Sequence, residues 1–248
     1  MEKKKIVMSK ISTIHYIKLF FRSALLIIGT ILYISHWLHQ TEHPFGGLEH
    51  EPLILGCIWL IYFVEMILRF FPSNLESMGC QKQFARNYRG EADTKVQPRF
   101  TKDLIAVVIA WVALNGLFGG LYFAGIFDAG ILILISLAYA VCDMICILFF
   151  CPFQTWFMKN RCCCTCRIYN WDFAMMFTPL IFVNTLFAKS LVFLSLALLI
   201  RWEYQLHRYP EYFSEKTNHS LSCAECQEKL CHHKKQLKSF WKREKKLS

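Results

Sequence analysis

Residues 130–150 read GILILISLAYAVCDMICILFF, a long apolar run whose single charged side chain is Asp143. A helix of roughly 20 apolar residues is enough to cross the hydrocarbon core of a bilayer. Backbone inside a bilayer must satisfy its own hydrogen bonds, so a run of this kind crosses as a helix. The run therefore predicts a transmembrane helix and an all-α membrane fold.

Three further runs have similar length and apolar character, and they lie at residues 17–38, 53–71 and 104–124. The composition agrees, because 55% of the 248 residues are hydrophobic and only 19% are charged. Soluble domains carry fewer apolar and more charged residues than this. We therefore predict an all-α polytopic membrane protein with four clear transmembrane helices.

The next apolar stretch, residues 173–200, allows two interpretations. As one helix it would measure about 42 Å at 1.5 Å per residue, more than the roughly 30 Å of a hydrocarbon core. It also contains Pro179, Asn184 and Lys189. One interpretation is a single long crossing. The other, which we favour, is a fifth/sixth hairpin or re-entrant pair over 173–187 and 190–206, with the second half as the re-entrant dip.

Basic residues alternate between the connections. Lysine and arginine are frequent in the N-terminal segment 1–16 and in the connections 72–103 and 151–172, but residues 39–52 contain neither. Cytoplasmic loops carry the excess of basic residues in membrane proteins. We therefore predict an integral cell-membrane protein with a cytoplasmic N-terminus and a cytoplasmic Cys-rich loop. If residues 173–206 form a pair, the basic tail 207–248 is cytoplasmic as well.

The net charge of +10 fits the same arrangement. The end of the tail, residues 234–248, reads KKQLKSFWKREKKLS, in which two aromatic residues interrupt a basic run. Such a segment is attracted to anionic lipids, and its aromatic side chains favour the membrane interface. The predicted partner of the basic residues is therefore the lipid bilayer and not nucleic acid.

Cysteine is the residue type that points to chemistry, with twelve in the chain. Cys163 and Cys166 form a C-x-x-C motif in the loop, and Cys223 and Cys226 form a second one in the tail. Each motif presents two thiolates, so the two together predict a four-sulfur site for zinc or an iron–sulfur cluster. Zinc and iron–sulfur both stay open. The substitute ligands are Cys162, Cys164, Cys231, His232 and His233.

A shared site requires both motifs to lie on the same side of the membrane. The paired interpretation of residues 173–206 meets that requirement, and the single crossing does not. Two alternatives need no shared site. Cys162–Cys164 lie beside a membrane segment, where cysteines are palmitoylated, and C-x-x-C motifs also carry out thiol–disulfide exchange.

Two further groups of residues are candidate ligands. His36, His39 and His43 follow the first run at helical spacing and are predicted as an outer metal or haem site, with an unliganded polar cap as the alternative. Within residues 130–150, Cys142 and Cys146 flank Asp143. An intramembrane aspartate is costly and marks a functional site, so this group is a candidate pathway for an ion.

Two spacings predict helix contacts. Gly116 and Gly120 are four residues apart, with Gly119 beside them, a spacing that allows close approach of membrane helices; ordinary helix packing is the favoured interpretation. Glu65 and Arg69 are also four residues apart and are expected to neutralise each other on one helix.

Three functions are compatible with these residues. The first is a membrane metalloprotein with a cytoplasmic zinc or iron–sulfur site, which in its sharper form passes electrons from a soluble redox partner to a lipid-soluble acceptor or an outer haem. The second is a soft-metal transporter or tolerance protein for copper or zinc, which a chain of this size would form as a homo-oligomer. The third is a non-catalytic scaffold with a structural zinc knuckle. No nucleotide-binding loop or serine-hydrolase motif is present, and no reaction follows from the sequence.

Overall fold

The computed structural model describes residues 9–38, 52–90, 102–158 and 162–226, together with residues 228, 230, 231 and 234. Every regular element in these residues is helical, which confirms the all-α prediction. The α-helices are α1 (Lys10–Leu38), α2 (Pro52–Leu68), α3 (Met78–Gln81), α4 (Lys102–Phe123), α5 (Ala129–Leu148), α6 (Asp172–Phe177) and α7 (Leu186–Arg208). Short helical turns cover Ala85–Asn87, Phe153–Phe157, Arg167–Trp171, Thr178–Phe182, Pro210–Phe213 and His219–Leu221.

Within the described residues, three helices are long and apolar enough to cross a membrane, and they are α1, α4 and α5. They are compatible with a membrane location. The fourth predicted span, 53–71, is represented by α2, which is shorter and ends at Leu68. Pro72 disfavours helical backbone just before it, which limits α2 at this end. Four clear spans are therefore not confirmed.

Residues 172–208 form a hairpin. Val183 and Thr185 have extended backbone, and the Thr185 side chain caps α7 by accepting a hydrogen bond from the Ala188 N–H. The two limbs run antiparallel, since Trp171 Nε1 donates to Glu203 Oε1 at 2.8 Å near the open end. One continuous helix over 173–200 is thus not formed.

The hairpin differs from the predicted pair in which limb is short. The first limb, 172–182, consists of α6 and a 3₁₀ turn, whereas α7 continues for 23 residues. Pro179 lies in the first limb and supplies no backbone N–H, so this limb tightens into a 3₁₀ turn and ends early. The re-entrant dip was predicted for the second half, which stays a prediction; the structure has the shorter, interrupted limb in the first half.

The core forms where α5 packs along α1 and against the hairpin, while α2 packs on α7. One face of α5 is buried at helical spacing, from Leu132 through Leu137 and Ala140 to Met144. Tyr62 of α2 completes this core. Much of the outward surface of α1 and α4 is apolar and exposed, as expected for helices that face lipid.

A buried ionic network joins one end of these helices. The Arg22 guanidinium on α1 donates to Glu65 Oε2 at 2.8 Å and to Asp143 Oδ2 at 3.0 Å. Arg69 instead donates to Asp172 Oδ1 at 2.7 Å. The predicted Glu65–Arg69 pair is therefore wrong, because each side chain finds a closer partner on another helix.

Gly119 is the glycine of α4 that packs against another element. A Cβ atom at Gly119 would lie 2.4 Å from Cζ of the Phe182 ring, whereas nothing lies within 4 Å of a Cβ at Gly116 or Gly120. The predicted packing face, built on Gly116 and Gly120, is therefore open. The contact of α4 with the hairpin depends instead on Gly119, which lies between these two glycines in the sequence.

Gly119→Leu is expected to lower the free energy of unfolding by about 1–3 kcal/mol, because the new side chain must displace Phe182. Thermal unfolding in detergent measures the effect. Gly116→Leu and Gly120→Leu are matched controls, since both positions are exposed and have open space. Equal losses at all three positions would contradict the packing described above.

Candidate functional site

The tail folds back onto the Cys-rich loop. The backbone carbonyl of Glu228 accepts a hydrogen bond from Ser9 Oγ at 2.8 Å, and its carboxylate accepts one from Ser77 Oγ at 2.8 Å and one from the Met78 N–H. Leu230 is buried in a cluster with Met144. The two cysteine-rich segments therefore lie at the same end of the molecule.

Three cysteine thiols and one carboxylate meet at this junction, and we call them the thiol cluster: Cys162, Cys164, Cys231 and Glu228. The Cys162 side chain hydrogen-bonds with those of Cys164 and Cys231. Cys164 Sγ donates to Glu228 Oε2 at 3.3 Å. The thiol cluster therefore contains residues of both cysteine-rich segments, the loop and the tail.

The hydrogen bonds of the thiol cluster favour ionisation of one thiol over that of the other two. Hydrogen bonds from Cys164 and Cys231 hold the pKa of Cys162 far below its usual range. The same bonds raise the pKa of Cys164 and of Cys231. Burial raises the pKa of the neighbouring Glu228 carboxyl. Cys162 is therefore the thiol of the cluster that ionises most readily.

The four predicted ligands are not brought together in this arrangement. Cys163 and Cys166 line a small cavity on the inner side of the loop, whereas Cys223 and Cys226 line an open cavity of about 770 Å³ on its outer side. Side-chain contacts of Cys163 agree with this separation. Cys163 Sγ donates to Gln154 Oε1 at 2.9 Å and accepts a hydrogen bond from Lys234 Nζ at 3.1 Å, which holds this thiol at the inner cavity.

The substitute ligands take the outer positions. Cys162, Cys164 and Cys231 line the same open cavity as the tail motif. As placed, no group of three or more His, Cys, Asp or Glu side chains in the described residues can hold a metal ion. His36 lies in the last turn of α1. His39, His43, His232, His233 and the basic run from residue 235 onward lie outside the described residues.

A buried lysine holds the loop in place. Lys82 is fully buried, and its Nζ donates to the Cys164 carbonyl at 2.7 Å and to the Cys166 carbonyl at 3.2 Å. Burial lowers the pKa of Lys82 to about 8. In the sequence Lys82 is one of several basic residues of a loop, and nothing distinguishes it. Its role is visible only once the loop carbonyls converge on it.

The small cavity, which we call the inner cavity, has a volume of about 130 Å³ and lies between α4, α5 and Phe153–Phe157. The predicted intramembrane group Cys142, Asp143 and Cys146 lines it, together with Cys163 and Cys166. The other lining side chains are mainly aromatic, thioether and thiol groups: Trp111, Tyr139, Phe153, Met175, Met176 and Cys151.

Cys151 lines the inner cavity, although the sequence placed it only next to the Cys142, Asp143 and Cys146 group and gave it no role. Its side chain hydrogen-bonds with that of Cys146, and its sulfur accepts a hydrogen bond from the Gln154 N–H at 3.3 Å. The bond from Cys146, with smaller contributions from Gln154 and Lys234, lowers the pKa of Cys151 to about 7 in spite of its burial. In the sequence, the available signal for this contact was that Cys146 and Cys151 are five residues apart and that Pro152 follows Cys151.

No family model matches this chain, and neither a curated protein nor a solved structure matches it. The chemistry of the thiol cluster and of the inner cavity is therefore the basis for a functional assignment.

Proposed function

We propose that the protein is a membrane metalloprotein in which the thiol cluster holds one zinc ion. The supporting observation is the contact of the Cys162 thiol with both Cys164 and Cys231, which joins two segments more than sixty residues apart, with a carboxylate beside Cys164. Three sulfur ligands and one oxygen ligand suit tetrahedral zinc. Iron–sulfur clusters are held by thiolates, so the carboxylate favours zinc.

The proposed ligands are Cys162, Cys164, Cys231 and Glu228. Binding would require these side chains to move together around the ion, because as placed they form no metal-binding group; Cys162, the most readily ionised thiol, would bind first. The ion would then tie the tail to the loop, as a structural zinc site ties two segments together. Cys223 and Cys226 lie at the rim of the open cavity, where a thiol pair can deliver or receive the ion.

The proposal also specifies the side of the membrane on which the loop and the tail lie. The loop and the tail carry lysine and arginine, so both would face the cytoplasm. That compartment is reducing and keeps thiols available for metal binding. The basic end of the tail would lie against anionic lipids.

A soft-metal transporter is the second candidate. It is supported by the inner cavity, into which Cys142, Asp143 and Cys146 all project with the loop cysteines. Against it, Lys234 Nζ donates to Cys163 Sγ at 3.1 Å. A fixed ammonium beside the thiol opposes the passage of a cation.

Zinc content of the detergent-purified full-length protein tests the proposal. We expect about one zinc per chain in the wild type and a nearly complete loss in Cys162→Ser/Cys231→Ser. Cys57→Ser is the matched control, because Cys57 is an exposed cysteine of α2. A visible absorption band from thiolate-bound iron would identify a cluster instead of zinc.

Two outcomes would overturn this site. One is an unchanged zinc content in Cys162→Ser/Cys231→Ser. The other is a loss of zinc in Cys163→Ser/Cys166→Ser with no loss in the first variant, which would restore the ligand pairing predicted from sequence.

A further inference from the structure

Cys146 and Cys151 form a thiol pair at the wall of the inner cavity. Cys146 lies in the last turn of α5, and the chain leaves the helix at Phe149. The following residues bring Cys151 back to Cys146, so that the two thiols hydrogen-bond with each other. Two thiols in side-chain contact are the precursor of a disulfide.

The surroundings of the pair distinguish the two sulfurs. Cys151 Sγ accepts the Gln154 N–H, which stabilises a thiolate at that atom. Lys234 Nζ donates to the Cys146 carbonyl at 3.0 Å and adds a positive charge close by. Cys151 is therefore the nucleophile and Cys146 the resolving thiol. A nearby ammonium favours thiolate chemistry and disfavours a bound cation.

The inner cavity next to this pair is close in size to a cavity that binds one flat ring. An apolar cavity of roughly 150 Å³ admits a benzene molecule; this one measures about 130 Å³, and its lining includes Asp143, Asp172 and Gln154 beside the apolar side chains. Trp111 of α4 and Tyr139 of α5 lie 4.7 Å apart between ring centroids, and Phe153 packs against Trp111. The helix α4 packs on Thr178–Phe182 and Phe153–Phe157 rather than along α5. This arrangement leaves the cavity between α4 and α5.

We propose that Cys146 and Cys151 are a redox-active dithiol and that the inner cavity takes the ring of a lipid-soluble quinone as electron acceptor. The Cys151 thiolate adds to a ring carbon and forms a carbon–sulfur bond. The Cys146 sulfur then attacks the Cys151 sulfur, which forms the disulfide and breaks the carbon–sulfur bond. The two thiols lose two electrons and two protons, and the ring leaves with both as the quinol.

The test uses the reduced full-length protein in detergent without oxygen, with a decyl-substituted 1,4-benzoquinone as the probe. Quinone absorbance reports reduction, and peptide mass spectrometry after alkylation locates disulfides. In the wild type we expect one quinol per chain and a disulfide between Cys146 and Cys151. We expect Cys146→Ser and Cys151→Ser each to reduce quinone at least about tenfold more slowly.

One control variant and one further measurement separate this proposal from the zinc site. Cys57→Ser is expected to reduce quinone at the wild-type rate, because Cys57 does not line the inner cavity. The zinc content of Cys146→Ser and of Cys151→Ser is expected to equal that of the wild type, because neither residue is a proposed zinc ligand. Disulfide mapping on the unsubstituted protein gives an answer even if a serine variant fails to fold.

Three outcomes would overturn the proposal. The first is equal quinone reduction by Cys146→Ser/Cys151→Ser and the wild type. The second is a stable ring adduct on a cysteine with no disulfide. The third is a pair that stays reduced while the double variant loses a bound copper(I) ion, in which case the inner cavity is a soft-metal site.

Discussion

Replacing Arg22 with alanine is expected to lower the free energy of unfolding by about 3–5 kcal/mol, the usual cost of breaking a buried ion pair. The Arg22 side chain is 3% exposed and bonds both Glu65 and Asp143. It also donates to the Ala140 carbonyl at 3.1 Å. Removing the Arg22 side chain therefore leaves the Glu65 and Asp143 carboxylates without their main positively charged partner.

Thermal unfolding in detergent measures this loss, and Arg89→Ala is the matched control. Arg89 also pairs with a carboxylate, that of Glu225, but the two side chains are 68% and 53% exposed. An exposed pair adds little stability, so we expect no measurable change. A similar effect of the two variants would show that the Arg22 network does not hold α1, α2 and α5 together.

A second set of variants tests the cause of the Arg22 effect. Combining Arg22→Met with Glu65→Gln and Asp143→Asn removes the unpaired charges, so part of the lost stability should return. If the triple variant is no more stable than Arg22→Met alone, lost packing and not lost charge pairing explains the effect.

Glu228→Ala is expected to lower the free energy of unfolding by about 3 kcal/mol and to release the tail from the loop. The Glu228 carboxylate satisfies Ser77 Oγ, the Met78 N–H and Cys164 Sγ. These groups are buried or partly buried, so the variant leaves them without that acceptor. Measured on metal-free protein, maleimide labelling of Cys164 should become at least about tenfold faster as the junction opens.

Glu225→Ala is the control for this second prediction. Glu225 lies three residues earlier in the same tail segment but is exposed at the rim of the open cavity. We expect its replacement to change neither stability nor labelling. If maleimide labels Cys164 in Glu228→Ala at the same rate as in the wild type, other contacts hold the tail to the loop.

The limits of prediction differ between the two parts of the candidate site. The two cysteine-rich segments were recognisable as partners because both contain closely spaced thiols. The choice of ligands within them stays a prediction, because C-x-x-C spacing says nothing about which way a turn faces. Cys163 and Cys166 line the inner cavity, whereas Cys162 and Cys164 line the open cavity with the tail cysteines.

Pairings across helices were equally hidden. Glu65 and Arg69 satisfied a local spacing rule, but Arg22 and Asp172 on other segments are their closest partners. The spacing also could not show that Gly119, rather than Gly116 or Gly120, makes the contact, since its neighbour Phe182 belongs to the hairpin. Local spacing describes neighbours on one helix and cannot rank them against distant residues.

The sequence by itself determined the helical class and the long apolar helices, because membrane length and backbone hydrogen bonding depend only on consecutive residues. It also indicated a break between residues 173 and 200, through a length and a composition that one helix could not accommodate. The tertiary structure alone decided which thiols meet, which ions pair and where the inner cavity lies. Those features join residues far apart in the chain, and their partners are set by how the helices and the hairpin pack.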